Sequence, residues 1–148
     1  MSSRPSWDTY FGKLAQLTAT RSTCLRRQVG CVIVRDNRVL VTGYNGALPG
    51  EAHCTEAGCY MHKGHCIRTN HAEVNALSDA ANRGVSLSGA TAYVSLQPCW
   101  NCLKQLLAAG ISTVWYIKPY LVVGNPLYDK YMGTNVLKQL KLQEPEDV

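Results

Sequence analysis

The chain has 148 residues, 46% of them hydrophobic and 17% charged, with a formal net charge of +5. That length suits one compact domain, and this balance of apolar and charged residues excludes an intrinsically disordered chain. There is no run of 18 apolar residues, the opening MSSRPSWDTYFG lacks the apolar core of a secretory signal, and Arg26–Arg27 is the sole adjacent basic pair. The expectation is a cytoplasmic protein with no membrane span and no grip on long nucleic acid, whose mild basicity suits small anionic ligands.

Ser6 is placed to cap a helix running to about Ala19, with Tyr10, Leu14 and Leu17 at helical spacing. VGCVIV (29–34) is an apolar, β-branched run, Asp36–Asn37 a turn and RVLVTGY (38–44) a second strand, so the pair reads as a hairpin. Cys31, inside the first strand, is read as a core residue. From Asn45 to Thr69 there is no periodicity, and Gly, Cys and His abound. A loop that long inside a small domain needs an organiser, which a bound metal would supply. His71 to Arg83 is helical, with Val74, Leu77 and Ala81 on one face and Gly84 as its stop. ATAYVSL (90–96) is a strand, Pro98 opens a helix that runs to Ala109 and ends at Gly110, and STVWYI (112–117) is a further strand. KPYLVVGNP (118–126) reads as loop, Asn135–Leu142 as a last helix burying Val136, Leu137 and Leu140, and the tail from Gln143 as mobile. Strands alternating with helices after residue 70 indicate a single layered α/β domain over residues 1–148.

Seven cysteines are many for a cytoplasmic chain, and the odd count argues against a disulfide framework, which leaves metal binding. Cys99 and Cys102 stand at i, i+3 on a helix start, so both thiols share a face, and a helix N-terminus favours the thiolate. His71 begins a different helix. Two helix starts facing one another would present one imidazole and two thiolates to a single Zn²⁺ and leave a fourth tetrahedral position for water. Glu73, two residues past His71, then stands beside the metal without ligating it and can carry a proton, the division of labour that hydrolytic deamination of an amine-bearing ring carbon needs. A lone histidine at a helix start is usually a cap, and a lone C-x-x-C is often a redox or structural pair. H-x-E followed by P-C-x-x-C in a strand–helix setting is far more specific and matches the zinc deaminase signature.

The segments RSTCLRRQVGCVIV (21–34), TGYNGALPG (42–50), HCTEAGCYMHKGHCIRTNHAEVNAL (53–77) and YVSLQPCWNCLKQLLAAGI (93–111) resemble the zinc-dependent cytidine-deaminase-like superfamily. Within it they resemble the bacterial and phage type of deoxycytidylate (dCMP) deaminases, over nearly the whole chain. The resemblance implies a three-layer α/β fold with a mixed five-stranded sheet flanked by helices, often assembled as a homo-hexamer. It implies His71, Cys99 and Cys102 as ligands of a catalytic zinc, Glu73 as proton shuttle, and hydrolysis of dCMP to dUMP and ammonia, supplying dUMP for dTMP synthesis. It also implies activation by dCTP and inhibition by dTTP, with Mg²⁺ on the triphosphate. The effector-linked arginine of some viral relatives, eleven residues after the zinc histidine, is here Asn82, with Arg83 next to it. Asn45 matches a position that contacts the substrate sugar, Tyr120 an aromatic position near the nucleotide, and Ala72 is counted with them as a substrate contact. Cys24 and Cys54 match thiol ligands of a structural zinc in some phage members. The remaining ligands come from Cys59, His62, His65 or Cys66, and the all-thiolate choice takes Cys59 and Cys66. A substrate phosphate must meet cationic donors, for which Arg26 and Arg27 are candidates, while Trp100 is read as packing. Two other readings of the residues stay open: a deaminase of tRNA adenosine or of a free nucleoside, and a non-catalytic zinc-stabilised binding module in which Glu73 has no task.

Overall fold

The computed structural model describes residues 4–120 and 125–143. Helix α1 (Trp7–Ala19) starts where expected, with the Ser6 hydroxyl accepting the Thr9 N–H, which satisfies one of the donors orphaned at a helix start. Strands β1 (Gly30–Arg35) and β2 (Arg38–Tyr44) form the expected antiparallel hairpin, with register Gly30↔Tyr44 and a bulge between Ile33 and Val34. Asp36 and Asn37 both have positive φ, 54° and 57°, the conformation a two-residue hairpin turn requires and one that Asp and Asn tolerate.

The aperiodic stretch is built of small pieces: β3 (Gly46–Ala47), α2 (Cys54–Ala57), the hairpin of β4 (Met61–His62) with β5 (His65–Cys66), and β6 (Thr69–Asn70), which pairs back onto β3. Helix α3 (Ala72–Arg83) follows and ends at Gly84 in the left-handed region, where Val85 N–H reaches the Ala80 carbonyl. Then come β7 (Thr91–Leu96), α4 (Trp100–Ala108), β8 (Thr113–Lys118), α5 (Pro126–Asp129) and β9 (Leu137–Gln139).

The main sheet runs β2-β1-β7-β8-β9. β1 is antiparallel to β2 and β7, whereas β7–β8 and β8–β9 are parallel, so the sheet is mixed. Alternation along the strands builds two cores. Val32, Val34 and Tyr93 face α1 with Phe11 and Ala15, while Cys31, Ile33, Val94 and Val114 face the helices of the other side with Ala76 and Leu103. Cys31 is therefore a core residue, fully buried. Among the described residues no helix is long and apolar enough to cross a membrane.

Three expectations need correction. The buried face of α1 is Phe11, Ala15 and Ala19, whereas Tyr10 and Leu17 are 40% and 65% exposed. Likewise α3 buries Ala72, Ala76 and Ala80, and Ala81 is exposed. In both cases a helix lies so close to a strand that only small residues fit. A Cβ on Gly30 would stand 2.1 Å from the Ala15 carbonyl, and one on Gly43 would stand 2.3 Å from the Ala72 carbonyl. The third correction is the last helix. Residues 137–139 are instead a strand parallel to β8, and Leu140 donates its N–H to the Tyr116 carbonyl. Leu137 and Leu140 are buried as foreseen, but a run this short fits either period, and the open edge of β8 decides it. Within 118–126, Asn125 caps the short α5; residues 121–124 and most of the expected mobile tail lie outside the described residues.

Candidate metal centre and active site

Two helix starts meet at the end of β7. His71 is the N-cap of α3 and Cys99 the N-cap of α4, both in extended backbone and neither spending its side chain on its own helix. Cys102, in the first turn of α4, turns to the same side as Cys99 and is 1% exposed. The donor atoms of His71, Cys99 and Cys102 all lie within 4.8 Å of one another. His71 Nδ1 is 3.7 Å from Cys99 Sγ and 3.3 Å from Cys102 Sγ. Tetrahedral zinc, with Zn–S near 2.3 Å and Zn–N near 2.05 Å, sets its sulfur and nitrogen ligands about 3.6 Å apart. The donor set and its spacing fit that ion.

Glu73 sits two residues on, in the first turn of α3, and is 4% exposed. Burial pushes its carboxyl up to about 7, against its own backbone N–H and His71, which both pull it down. The Cys102 thiol, with help from His71, holds Cys99 down at about 4, which makes Cys99 a thiolate at neutral pH; Cys102 is displaced upward in return. The hydrogen bond to Cys99 raises His71. The cluster thus holds a preformed thiolate next to a buried carboxyl that changes protonation near neutrality, the condition under which a group serves as both base and acid.

A second donor group lies in the cysteine-rich excursion. Cys54, Cys59 and Cys66 have their sulfurs within 4.8 Å of one another, with Cys54 and Cys66 3.6 Å apart. Burial alone would raise the Cys66 thiol. The N–H groups of Arg68, Tyr60 and Thr69, with the Cys54 thiol, outweigh it and hold Cys66 at about 6. Burial, then the two neighbouring thiols, pushes Cys54 up to about 12. Cys24 lies outside this 4.8 Å group, its sulfur accepting the Arg26 N–H at 3.4 Å, while its neighbour Thr23 places its hydroxyl 3.0 Å from Nδ1 of His53, the residue before Cys54. His62 and His65 face each other across the β4–β5 hairpin and are exposed.

Asn45 carries that segment. Its Oδ1 accepts the Val29 N–H at 2.9 Å, its Nδ2 donates to the Arg27 carbonyl at 2.8 Å, and its own carbonyl accepts the Ser22 hydroxyl at 3.0 Å. Asn45 is 7% exposed, so its side chain is chiefly a loop organiser. Ala72 is fully buried in the core. Arg26 and Arg27 diverge. Arg26 directs its guanidinium to Met61 Sδ on the β4–β5 hairpin, and Arg27 lays its guanidinium 4.5 Å above the Tyr120 ring. Trp100 packs, as expected, against Tyr128 and Tyr131.

Three residues had drawn no attention in the sequence. Gln97 is 5% exposed, accepts the Tyr120 N–H and donates to Tyr128 Oη, whose hydroxyl in turn donates to the Pro98 carbonyl; together they fix the turn that delivers Cys99. Asn75 donates to the carbonyls of Tyr44 and Gly46, pinning both neighbours of Asn45 to α3. The one hint in the sequence was a polar residue wedged between an apolar strand and P-C-x-x-C.

Residues 5–118 match the family described as the cytidine and deoxycytidylate deaminase zinc-binding region. The chain is 47% identical over 117 residues to the ComE operon protein 2 of Bacillus subtilis, covering 79% of this chain and 62% of that protein. It is 44% identical over 126 residues to the deoxycytidylate deaminase of Saccharomyces cerevisiae, covering 79% and 39%. The chain thus spans less than two thirds of the length of these curated relatives. The dCMP deaminase of cyanophage S-TIM5, solved in complex with dCMP and dUMP, superimposes with a TM-score of 0.75 at 28% identity, over 88% of this chain and 94% of that one.

Proposed function

The chain belongs to the cytidine and deoxycytidylate deaminase zinc-binding family, and from that premise we propose that it hydrolyses dCMP to dUMP and ammonia. The observation that carries this reading is the His71–Cys99–Cys102 cluster at zinc spacing with a buried Glu73 beside it. Bound there, zinc would supply a Lewis acid that brings the pKa of water to about 7. Glu73 takes a proton from the water that attacks C4 of the cytosine and passes it to N3. It then takes the proton of the new hydroxyl and delivers it to the amine. The C4–N bond breaks, ammonia leaves, and C4 keeps the water oxygen as a carbonyl. Glu73, 4% exposed beside the cluster, is placed to make both transfers away from bulk water. A closed binding module would not need a buried carboxyl beside its metal ligands.

The finer parts of the reading rest on the same resemblance. Cys54, Cys59 and Cys66, with Cys24 as the fourth thiolate, are assigned to a second, structural zinc that orders residues 53–70. The whole chain is read as one deaminase domain working in the cytoplasm as a homo-hexamer and supplying dUMP for dTMP synthesis. Activation by dCTP and inhibition by dTTP with Mg²⁺ stay part of the reading, although Arg83 is tied to Asp79 at 2.9 Å and to the Leu40 carbonyl. The test is turnover. Zinc-loaded protein should convert dCMP to dUMP with loss of cytosine absorbance, faster than it deaminates deoxycytidine or tRNA adenosine. Absence of dCMP turnover with and without dCTP and Mg²⁺ overturns the proposal, and preferential turnover of tRNA would reassign the substrate.

A further inference from the structure

Tyr128, 1% exposed, is the largest fully buried side chain among the described residues. It comes from α5, thirty positions after Pro98, where Asn125 caps the helix by accepting the N–H groups of Leu127 and Tyr128. Its ring stands edge-on to Trp100 with 6.1 Å between centroids, so packing fixes where its oxygen lies. Hydrogen bonding fixes where its proton points. Oη is 2.7 Å from the Pro98 carbonyl and 3.1 Å from Gln97 Nε2. Gln97 Oε1 takes the Tyr120 N–H at 2.9 Å, and a backbone N–H can only donate. The Gln97 amide therefore stands one way round, with Nε2 toward Tyr128 Oη and the Met132 sulfur at 3.4 Å. Supplied with a donor from Gln97, the Tyr128 hydroxyl spends its own proton on the Pro98 carbonyl. Gln97, Pro98 and Tyr128 are all buried, where such a chain of hydrogen bonds is strong when complete and costly when cut.

The chain of bonds ends one residue from a metal ligand. The Pro98 carbonyl and the Cys99 nitrogen belong to the same planar peptide, so holding one holds the other. Helix α4 does not satisfy that carbonyl itself. The N–H four residues on, that of Cys102, serves Cys99 Sγ instead. Tyr128 is thus the group that keeps the 98–99 peptide in place, and it does so from an element remote in sequence from both helix starts.

We propose that Tyr128 and Gln97 are positioning residues for Cys99, holding the 98–99 peptide so that the Cys99 sulfur stays within reach of His71 and Cys102, and thereby setting how tightly that cluster keeps its metal. The proposal takes from the deaminase reading only the use of the metal, not its retention. Titration of the metal-free full chain with Co²⁺, read by visible absorption, separates the two clusters, since cobalt bound by an imidazole, two thiolates and water absorbs differently from cobalt among thiolates alone. Competition with zinc then gives each zinc affinity. Tyr128→Phe keeps the ring and loses the hydroxyl. It should weaken metal binding at the His71 cluster by about 10- to 100-fold, the usual worth of a group that orients a ligand, and leave the Cys54 cluster within about twofold. Gln97→Met keeps the length of the side chain without the amide and should show the same selective loss. The double variant should lose little more than the larger single loss, because both changes cut one chain. An unchanged affinity at the His71 cluster, equal losses at both clusters, or losses that multiply in the double variant would overturn the proposal. If Tyr128→Phe does not fold, the selective loss in Gln97→Met decides alone. A wild-type chain that turns over no dCMP while the variants show the selective loss keeps the positioning role and discards the deaminase reading. Turnover of dCMP by the wild type with metal affinity unchanged in the variants does the reverse.

Discussion

Glu73 shows how one residue's environment sets its chemistry. Its carboxyl is buried, which lifts its pKa from the ordinary 4.5 to about 7 in the metal-free fold. Between those two values the folded chain keeps a proton that the unfolded chain has released. The stability of the metal-free protein must therefore fall as pH rises through that window, by at most about 3 kcal/mol at about 1.4 kcal/mol per pKa unit. Glu73→Gln removes the titration. Melting temperatures in the presence of a chelator should show the variant gaining on the wild type between pH 5 and pH 8, and parallel curves would contradict the account. Asn45 makes the complementary case, a polar side chain used up by its neighbours. Asn45→Ala would strand the Arg27 carbonyl and the Val29 N–H, at about 1–3 kcal/mol each if they stay dry. Calorimetric unfolding of the variant beside the wild type checks this, and an unchanged stability would contradict it.

At the scale of elements, the site depends on how tightly α3 seats on β2. A Cβ at Gly43 would meet the Ala72 carbonyl at 2.3 Å and the Ala76 nitrogen at 2.5 Å, both backbone atoms that cannot give way separately. Gly43→Ala should therefore push the helix off the sheet, destabilise the protein by about 1–3 kcal/mol and weaken zinc retention, because His71 and Glu73 ride on the displaced turn. Thermal unfolding with metal analysis reads both, and an unaffected protein would deny that this contact positions the site. The element boundaries were legible in the sequence because local chemistry writes them: Ser6 as a cap, Asp36–Asn37 as a turn, Gly84 as a stop. The buried faces of α1 and α3 were not, since alanine carries a weak hydrophobic signal and the demand for it comes from glycines distant in sequence. The strand at 137–139 was missed for a related reason. Its partner, the open edge of β8, appears only once the sheet exists.

For the whole molecule, the fold turns a mixed sheet into a platform on which α3 and α4 start at the same place. The antiparallel β1–β7 pair and the parallel β7–β8 pair meet on β7, and Cys99 follows directly from its end. The catalytic cluster was readable in advance because H-x-E and P-C-x-x-C carry their own chemistry. The second cluster was readable only in part, since which cysteines converge depends on how the 53–70 excursion folds. Two donor groups predict about two zinc ions per chain by elemental analysis, falling to about one in Cys54→Ser with loss of thermal stability. A wild-type content of one, unchanged in Cys54→Ser, would remove the structural site. The central claim is that this platform holds a zinc-assisted deaminase in which Glu73 moves the protons. Measuring dCMP turnover and zinc content together in Glu73→Ala tests it most directly. The account predicts full zinc retention with at least about a 100-fold loss of turnover; retained zinc with turnover near the wild-type rate would contradict it.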